Sequence, residues 1–150
     1  MLGRNAAGIF WMFRYLERSE NTARIMQAGH RMFLTNTTSG YQDWASILDA
    51  VSLREPFEKK SSEFDAPKVR NFVLRDTDNP SSVMSCVANA RENARMVRTV
   101  LTKEVFEAVN ETYLILKNIL KRPVSDRNLV KTLATIRRQS GLVRGSLHGT

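Results

Sequence analysis

Residues 2–34, LGRNAAGIFWMFRYLERSENTARIMQAGHRMFL, decide the fold of this chain. The stretch contains no proline, and its apolar residues recur at a spacing of three and four, which predicts one continuous helix. At about 1.5 Å per residue such a helix is roughly 50 Å long. We therefore expect the long N-terminal helix to be the element around which the remaining chain packs.

Short helices are predicted to follow it. A loop at residues 36–40 precedes a short helix in which four apolar residues share one face. These are Trp44, Ile47, Leu48 and Val51. Pro56 and Pro67 have the position of first-turn prolines in two further short helices, of which the first should carry Phe57 and Phe64.

Three more long helices complete the prediction. Residues 78–82, Asp-Asn-Pro-Ser-Ser, provide an N-cap and a proline start for a helix that continues to about Leu101. Thr102 and Glu104 open the next helix, and Ser125 or Asp126 caps the last one. No stretch alternates convincingly with period two. The predicted fold class is therefore all-α, a helical bundle with a long N-terminal helix, about three long helices and two or three short ones.

Length and hydropathy indicate a single soluble domain spanning residues 1–150. The chain is long enough for one hydrophobic core, and no apolar run approaches the ~18 residues that cross a bilayer. The apolar stretch at residues 6–13 superficially resembles a signal peptide, but Arg14, Glu17 and Arg18 interrupt it and no cleavage pattern follows. We expect a cytoplasmic protein.

The sequence offers no recognisable catalytic or metal-binding constellation. Its single cysteine, Cys86, lies among small apolar residues and is predicted to be buried. His30 and His148 have no spacing that would give this thiol a base, and two histidines with one cysteine are too few for a zinc site. We assign no catalytic residues and expect no cofactor.

A polar seam on the first helix is the feature most suggestive of function. At about 100° per residue, five polar side chains fall in one sector roughly 120° wide, which they share with apolar residues such as Ala6, Phe10, Ala28 and Met32. We therefore expect the seam to be packed. A second polar group follows at residues 91–98. The candidate residues of both groups are Arg14, Glu17, Arg18, Glu20, Asn21, Arg24, Arg91, Glu92, Asn93, Arg95 and Arg98.

Two interpretations of the seam remain open. The first interpretation is structural: the seam is a paired polar layer, in which Glu17 pairs with Arg14 and Glu20 with Arg24 because buried charges must be paired, or it is simply a solvated helix face. Alternatively, several guanidinium groups converging in one groove suit an anionic small molecule or peptide, carboxylate or phosphate, bound by an enzyme or a binding protein. The second interpretation requires both polar groups to lie in the same groove.

The positive charge is concentrated at the end of the chain. Residues 121–150 contain seven basic residues and one acidic residue, a balance of +6, against +2 for residues 1–120. Nucleic acid is one possible partner for this segment. The charges are spread around the helix and no aromatic residues interleave with them, which favours a solvated face or a docking surface for an acidic partner segment.

Several stretches resemble the bacterial alpha-E family, helical domains named for a Glu-Arg motif. They are residues 1–4 (MLGR), 14–24 (RYLERSENTAR), 79–83 (NPSSV), 90–95 (ARENAR) and 144–147 (RGSL). Members of that family are typically about twice as long and have a second segment similar to residues 14–18. The resemblance therefore implies that this chain corresponds to an N-terminal half, with self-association as a further expectation.

The resemblance also implies a function. Genes of the family often lie beside those for an ATP-grasp-type peptide ligase and a transglutaminase-like protease. We therefore expect an accessory protein with one of these enzymes as its partner, possible homo-oligomers, and no association with a membrane.

Overall fold

The computed structural model describes residues 2–35 and 40–148, and these ranges contain seven α-helices and no strand. The long helices are α1 (Leu2–Thr35), α5 (Val83–Met96), α6 (Lys103–Leu120) and α7 (Asp126–His148). The short ones are α2 (Gly40–Ala50), α3 (Arg54–Lys60) and α4 (Ala66–Leu74), and a 3₁₀ turn at Arg98–Val100 connects α5 to α6. The predicted all-α bundle, its long first helix and the division into long and short helices are confirmed.

Three predicted helix boundaries are wrong: the end of α3 and both ends of α5. Helix α3 ends at Lys60, so Phe64 lies in the connection to α4, although its ring still packs against Phe57 with 5.6 Å between centroids. Helix α5 begins at Val83 and ends at Met96, five residues before the predicted Leu101. Of the predicted loop at 36–40, residues 36–39 lie outside the described ranges, and Gly40 is already helical.

Local capping explains where α5 and α6 begin. The Asn79 side chain donates to the Phe72 carbonyl oxygen and accepts from the Ser81 amide, which holds residues 79–81 in a turn. Ser82 is therefore the N-cap, and its hydroxyl accepts a hydrogen bond from the Ser85 amide. Thr102 caps α6 in the same way by accepting from the Val105 amide, as predicted.

Helix α1 packs against α2, α5 and α7 through a narrow stripe of buried residues. The stripe repeats at a spacing of three and four and consists of Met12, Leu16, Ser19, Ala23 and Met26. Gly8 lies so close to α5 that a Cβ there would be 2.5 Å from Val97 Cγ1, and Gly29 approaches Ile47 of α2 as closely. Small residues thus decide which face of α1 its neighbours contact.

Helices α1 and α5 run antiparallel. Gly8 near the start of α1 contacts Val97 just beyond the end of α5, whereas Arg18 in the middle of α1 lies beside Cys86 near the start of α5. In the described ranges, no helix has an apolar stretch long enough to cross a lipid bilayer.

Candidate functional site

Most of the predicted polar seam on α1 is exposed. Arg14, Glu17, Arg18, Asn21 and Arg24 all face solvent, and the Arg14–Glu17 pair, 3.6 Å apart, lies at the surface. The prediction that the seam is packed is therefore wrong. Apolar residues surround α1 on almost every side, so periodicity alone could not identify the buried face.

Glu20 is the exception, because its side chain is only 5% exposed. Arg24 Nη2 donates to Glu20 Oε1 at 2.7 Å, which is the predicted pairing one turn apart. Arg144 Nη1, from the last helix, donates to the other carboxylate oxygen, Oε2. One buried carboxylate therefore connects α1 to α7 and orients two guanidinium groups.

Two further arginines of α7 lie beside this carboxylate. Arg137 Nη1 donates to Gln27 Oε1 at 2.6 Å, and Arg138 lines the same cavity. We call the group the arginine cluster: Glu20, Arg24, Gln27, Arg137, Arg138 and Arg144, around a cavity of about 330 Å³. It combines four guanidinium groups with one carboxylate, which leaves a local charge of +3.

An adjoining cavity of about 320 Å³ gives the arginine cluster a partly apolar neighbour. Glu20, Arg24 and Arg144 line both cavities. The second cavity also has apolar walls from Phe13, Leu16 and Val143 and polar walls from Glu17, Asn21 and Ser140. The two cavities thus form one groove between α1 and α7, with a cationic part and a part of mixed apolar and polar lining.

The second predicted polar group, at residues 91–98, contributes no residue to the groove between α1 and α7. Arg91 Nε donates to Asn110 Oδ1 at 3.0 Å, and its guanidinium carbon lies 4.5 Å from the centre of the Tyr113 ring. Arg98 lies 4.5 Å above the Phe106 ring in the same manner. We call Arg91 and Arg98 the ring-stacked arginines. Both contact α6.

The remaining members of this second group make local contacts on α5. Arg95 is 3.7 Å from Glu92 at the surface, and Asn93 donates to the Asn89 carbonyl oxygen one turn earlier. A shallow cavity of about 170 Å³ is lined by Arg14, Glu17, Arg18 and Asn21 on α1, and no residue of 91–98 contributes to it. This cavity does not unite the two polar groups.

Cys86 is buried, as predicted. Burial raises the pKa of its thiol, and the nearby Arg18 guanidinium opposes this only in part, so the sulfur stays protonated near neutral pH. Within residues 2–35 and 40–148, no three histidine, cysteine, aspartate or glutamate side chains are grouped so that they could hold a metal ion.

A larger groove of about 880 Å³ lies between α4, α5 and α6 and was not predicted. Its polar side chains form hydrogen bonds and ion pairs with other groups of the protein. Arg75 donates to the carbonyl oxygens of Leu120 and Lys121, and Asp76 accepts from Lys60. Burial alone would raise the pKa of Asp76, but Lys60 and two backbone amides outweigh it and lower that pKa.

Large apolar side chains are exposed at one end of the α1–α5 pair. Phe10 and Trp11 are each about half exposed, and their rings meet edge to face with 5.4 Å between centroids. Met96 and Val100 are exposed within one turn of Val97, the residue that contacts Gly8. We call Phe10, Trp11, Met96 and Val100 the apolar end patch. Trp44, by contrast, is buried in the core.

Comparison with known proteins identifies one family. The Alpha-E family model, described as a predicted alpha-helical domain with a conserved ER motif, matches residues 1–150, the whole chain. The sequence contains one Glu-Arg dipeptide, Glu17-Arg18, on the exposed face of α1. No curated protein and no solved structure is significantly similar to the chain.

Proposed function

Because the chain belongs to the Alpha-E family, we propose that it is a non-catalytic partner protein of an ATP-grasp-type peptide ligase in the bacterial cytoplasm. A transglutaminase-like protein is the second expected component of the same system. The motivation is the neighbourhood of such enzymes that the family resemblance implies, together with a surface suited to a protein partner.

The apolar end patch is the observation that carries this proposal. Exposed apolar side chains that touch one another commonly mark protein interfaces. Phe10 and Trp11 form such a pair. Met96 and Val100 are exposed next to Val97, which contacts the same end of α1. Aromatic residues and methionine are enriched at interfaces, and tryptophan is the most frequent energetic anchor. Phe10, Trp11 and Met96 provide these side chains on two rigid helices.

The geometry of α1 favours a protein ligand over a small one at this patch. Phe10 and Trp11 are each about half exposed and line none of the cavities described above, and Trp11 also contacts Tyr15 at 6.0 Å between ring centroids. Aromatic side chains outside a cavity bury their area only against a complementary pocket on another macromolecule, whereas small molecules bind in concave cavities. We expect the ligase to provide that pocket.

Binding of the purified chain to an ATP-grasp-type peptide ligase of the same organism tests the proposal. Isothermal titration with wild-type chain should give a complex, and the double variant Phe10→Ala/Trp11→Ala should weaken it at least about tenfold, since anchor residues typically contribute 2 kcal/mol or more. The matched controls are Leu114→Ala and Val130→Ala, which remove similarly exposed apolar side chains from α6 and α7.

The controls should bind within about twofold of wild type, and every variant should keep its helical circular dichroism and melting temperature. The proposal fails if the wild-type chain binds neither the ligase nor the transglutaminase-like protein. A loss of binding in the controls as large as in the double variant would remove the apolar end patch as the interface.

A further inference from the structure

The acidic side chain of the arginine cluster neutralises only part of its positive charge. Glu20 is the one acidic side chain among the six members, and both of its oxygens already accept from Arg24 and Arg144. Arg137 pairs with a neutral amide, and Arg138 has its one described polar contact with Thr135 Oγ1 at 3.5 Å. Four cations so close together repel one another unless an anion lies between them.

The two arginines that pair with Glu20 still have donors directed at solvent. Their side chains are 52% and 54% exposed, and each guanidinium has five N–H donors, of which only part contact the carboxylate. Glu20 therefore acts as a buried anchor that fixes the orientation of Arg24 and Arg144. It leaves their outer edges available in the same cavity as Arg137 and Arg138.

We propose that the arginine cluster is a binding site for the phosphate group of a small phosphate monoester. The planar guanidinium group of arginine binds carboxylate and phosphate oxygens with similar geometry. The charge of the site must therefore distinguish the two kinds of ligand. A carboxylate presents two oxygens and one negative charge, whereas a phosphate monoester presents three oxygens and a charge of about −1.5 to −2. The local charge is +3 in the arginine cluster, and it is +2 for the whole groove once Glu17 of the adjoining cavity is counted (four arginines, two carboxylates). Both values match the phosphate better than the carboxylate.

The adjoining cavity indicates where the rest of such a ligand lies. Phe13, Leu16 and Val143 line it directly beside Arg24 and Arg144, so an apolar or aromatic ester group would pack there while its phosphate contacts the arginines. Each cavity measures about 320–330 Å³, which is at the lower end of the range for small-molecule sites. The groove thus accommodates one small molecule.

Titration calorimetry of the full chain at low salt tests this site with three probes. Phenyl phosphate should bind most tightly, because it can occupy both cavities, and inorganic phosphate should bind several-fold more weakly. Benzoate, which has the same ring but a carboxylate, should bind at least about tenfold more weakly than phenyl phosphate, a difference of about 1.4 kcal/mol.

The informative variants are Arg137→Gln and Arg138→Gln, since neither residue contacts Glu20 in the structure. Each should weaken phenyl phosphate binding about five- to tenfold with little change in melting temperature. The matched control is Arg127→Gln, which removes the same positive charge at an exposed position of α7 outside the arginine cluster. It should leave the dissociation constant within about twofold of wild type.

Three outcomes overturn the proposal. One is the absence of binding at millimolar phenyl phosphate by a folded wild-type chain. Another is benzoate binding as tightly as phenyl phosphate, which would indicate a carboxylate site. The third is an Arg127→Gln variant that loses as much affinity for phenyl phosphate as Arg137→Gln, since that result indicates a diffuse basic surface.

Discussion

The arginine cluster and the ring-stacked arginines use the same side chain in two opposite ways. In the cluster, Arg24 and Arg144 converge from two helices on one buried carboxylate. Arg91 and Arg98 instead hold their guanidinium carbons 4.5 Å from the centres of aromatic rings on α6. A guanidinium over a ring is oriented by a cation–π contact, whereas Arg24 and Arg144 are oriented by a carboxylate that uses only some of their N–H donors and leaves others for a ligand. The group that an arginine contacts, more than its position on a helix, thus determines whether it can bind a ligand.

Removing the buried carboxylate should have the largest effect on stability. We expect Glu20→Gln to lower the free energy of unfolding by about 1–3 kcal/mol, because a neutral amide replaces an acceptor that two cations share. Urea denaturation monitored by circular dichroism measures this difference. Glu17→Gln is the matched control, since Glu17 is 59% exposed and its pair with Arg14 lies at the surface.

The control should change the free energy of unfolding by no more than about 0.5 kcal/mol. Equal losses in the two variants would mean that burial does not distinguish Glu20 from Glu17. The contrast between an anchoring carboxylate and a surface one would then be lost.

Truncating a ring-stacked arginine should have an intermediate effect. Arg91→Ala removes a cation–π contact with Tyr113 and a hydrogen bond to Asn110, and we expect a loss of about 1 kcal/mol. Arg95→Ala, at an exposed position of the same helix, should cost close to nothing. In a double-mutant cycle with Tyr113→Leu, the two losses should be less than additive. Strict additivity would show that the ring and the guanidinium do not interact.

The ion pair between Lys60 and Asp76 should make the smallest contribution to stability of the contacts compared here, and this contribution should depend on pH. Because the folded-state pKa of Asp76 is lowered, its contribution to stability is complete above the unfolded-state pKa of about 3.9 and is lost as the pH falls through the folded-state value. Asp76→Asn should therefore be less stable than wild type by about 0.5 kcal/mol at neutral pH. Urea titrations at several pH values should show this difference shrinking below about pH 4.

Asp78→Asn serves as the control for that pair, since Asp78 is more exposed and 3.7 Å from the same ammonium group. It should show a smaller difference at neutral pH. A difference for Asp76→Asn that persists unchanged in acid would mean that the substitution acts by packing and not by charge.

The fold could be predicted from the sequence because its signals are local. Helical periodicity located α1 and α6, and Thr102 marked the beginning of α6 with a side chain that does cap it. The prediction that α5 begins at the proline of residues 78–82 is wrong, for an equally local reason. Asn79 contacts Phe72 on the preceding helix, and this turn delays the helix until Val83.

The site was much harder to predict, because it depends on contacts between distant residues. Glu20 and Arg24 are one turn apart, so their pairing follows from helix geometry. Arg144 meets the same carboxylate from 124 residues away, and no sequence spacing indicates that. The burial of Glu20 is likewise a consequence of helix packing, on a face of α1 that periodicity alone did not distinguish.

Gly8 and Gly29 have a consequence for how α1 is aligned with its neighbours. The two glycines are 21 residues apart, which is about 31 Å along the helix, and each admits a branched side chain from a different helix. Sliding α1 by one residue would turn it by about 100° and present a side chain at both places simultaneously. The two close approaches therefore fix both the axial position and the rotation of α1 relative to α2 and α5. In this one position of α1, Glu20 also meets Arg144 of α7.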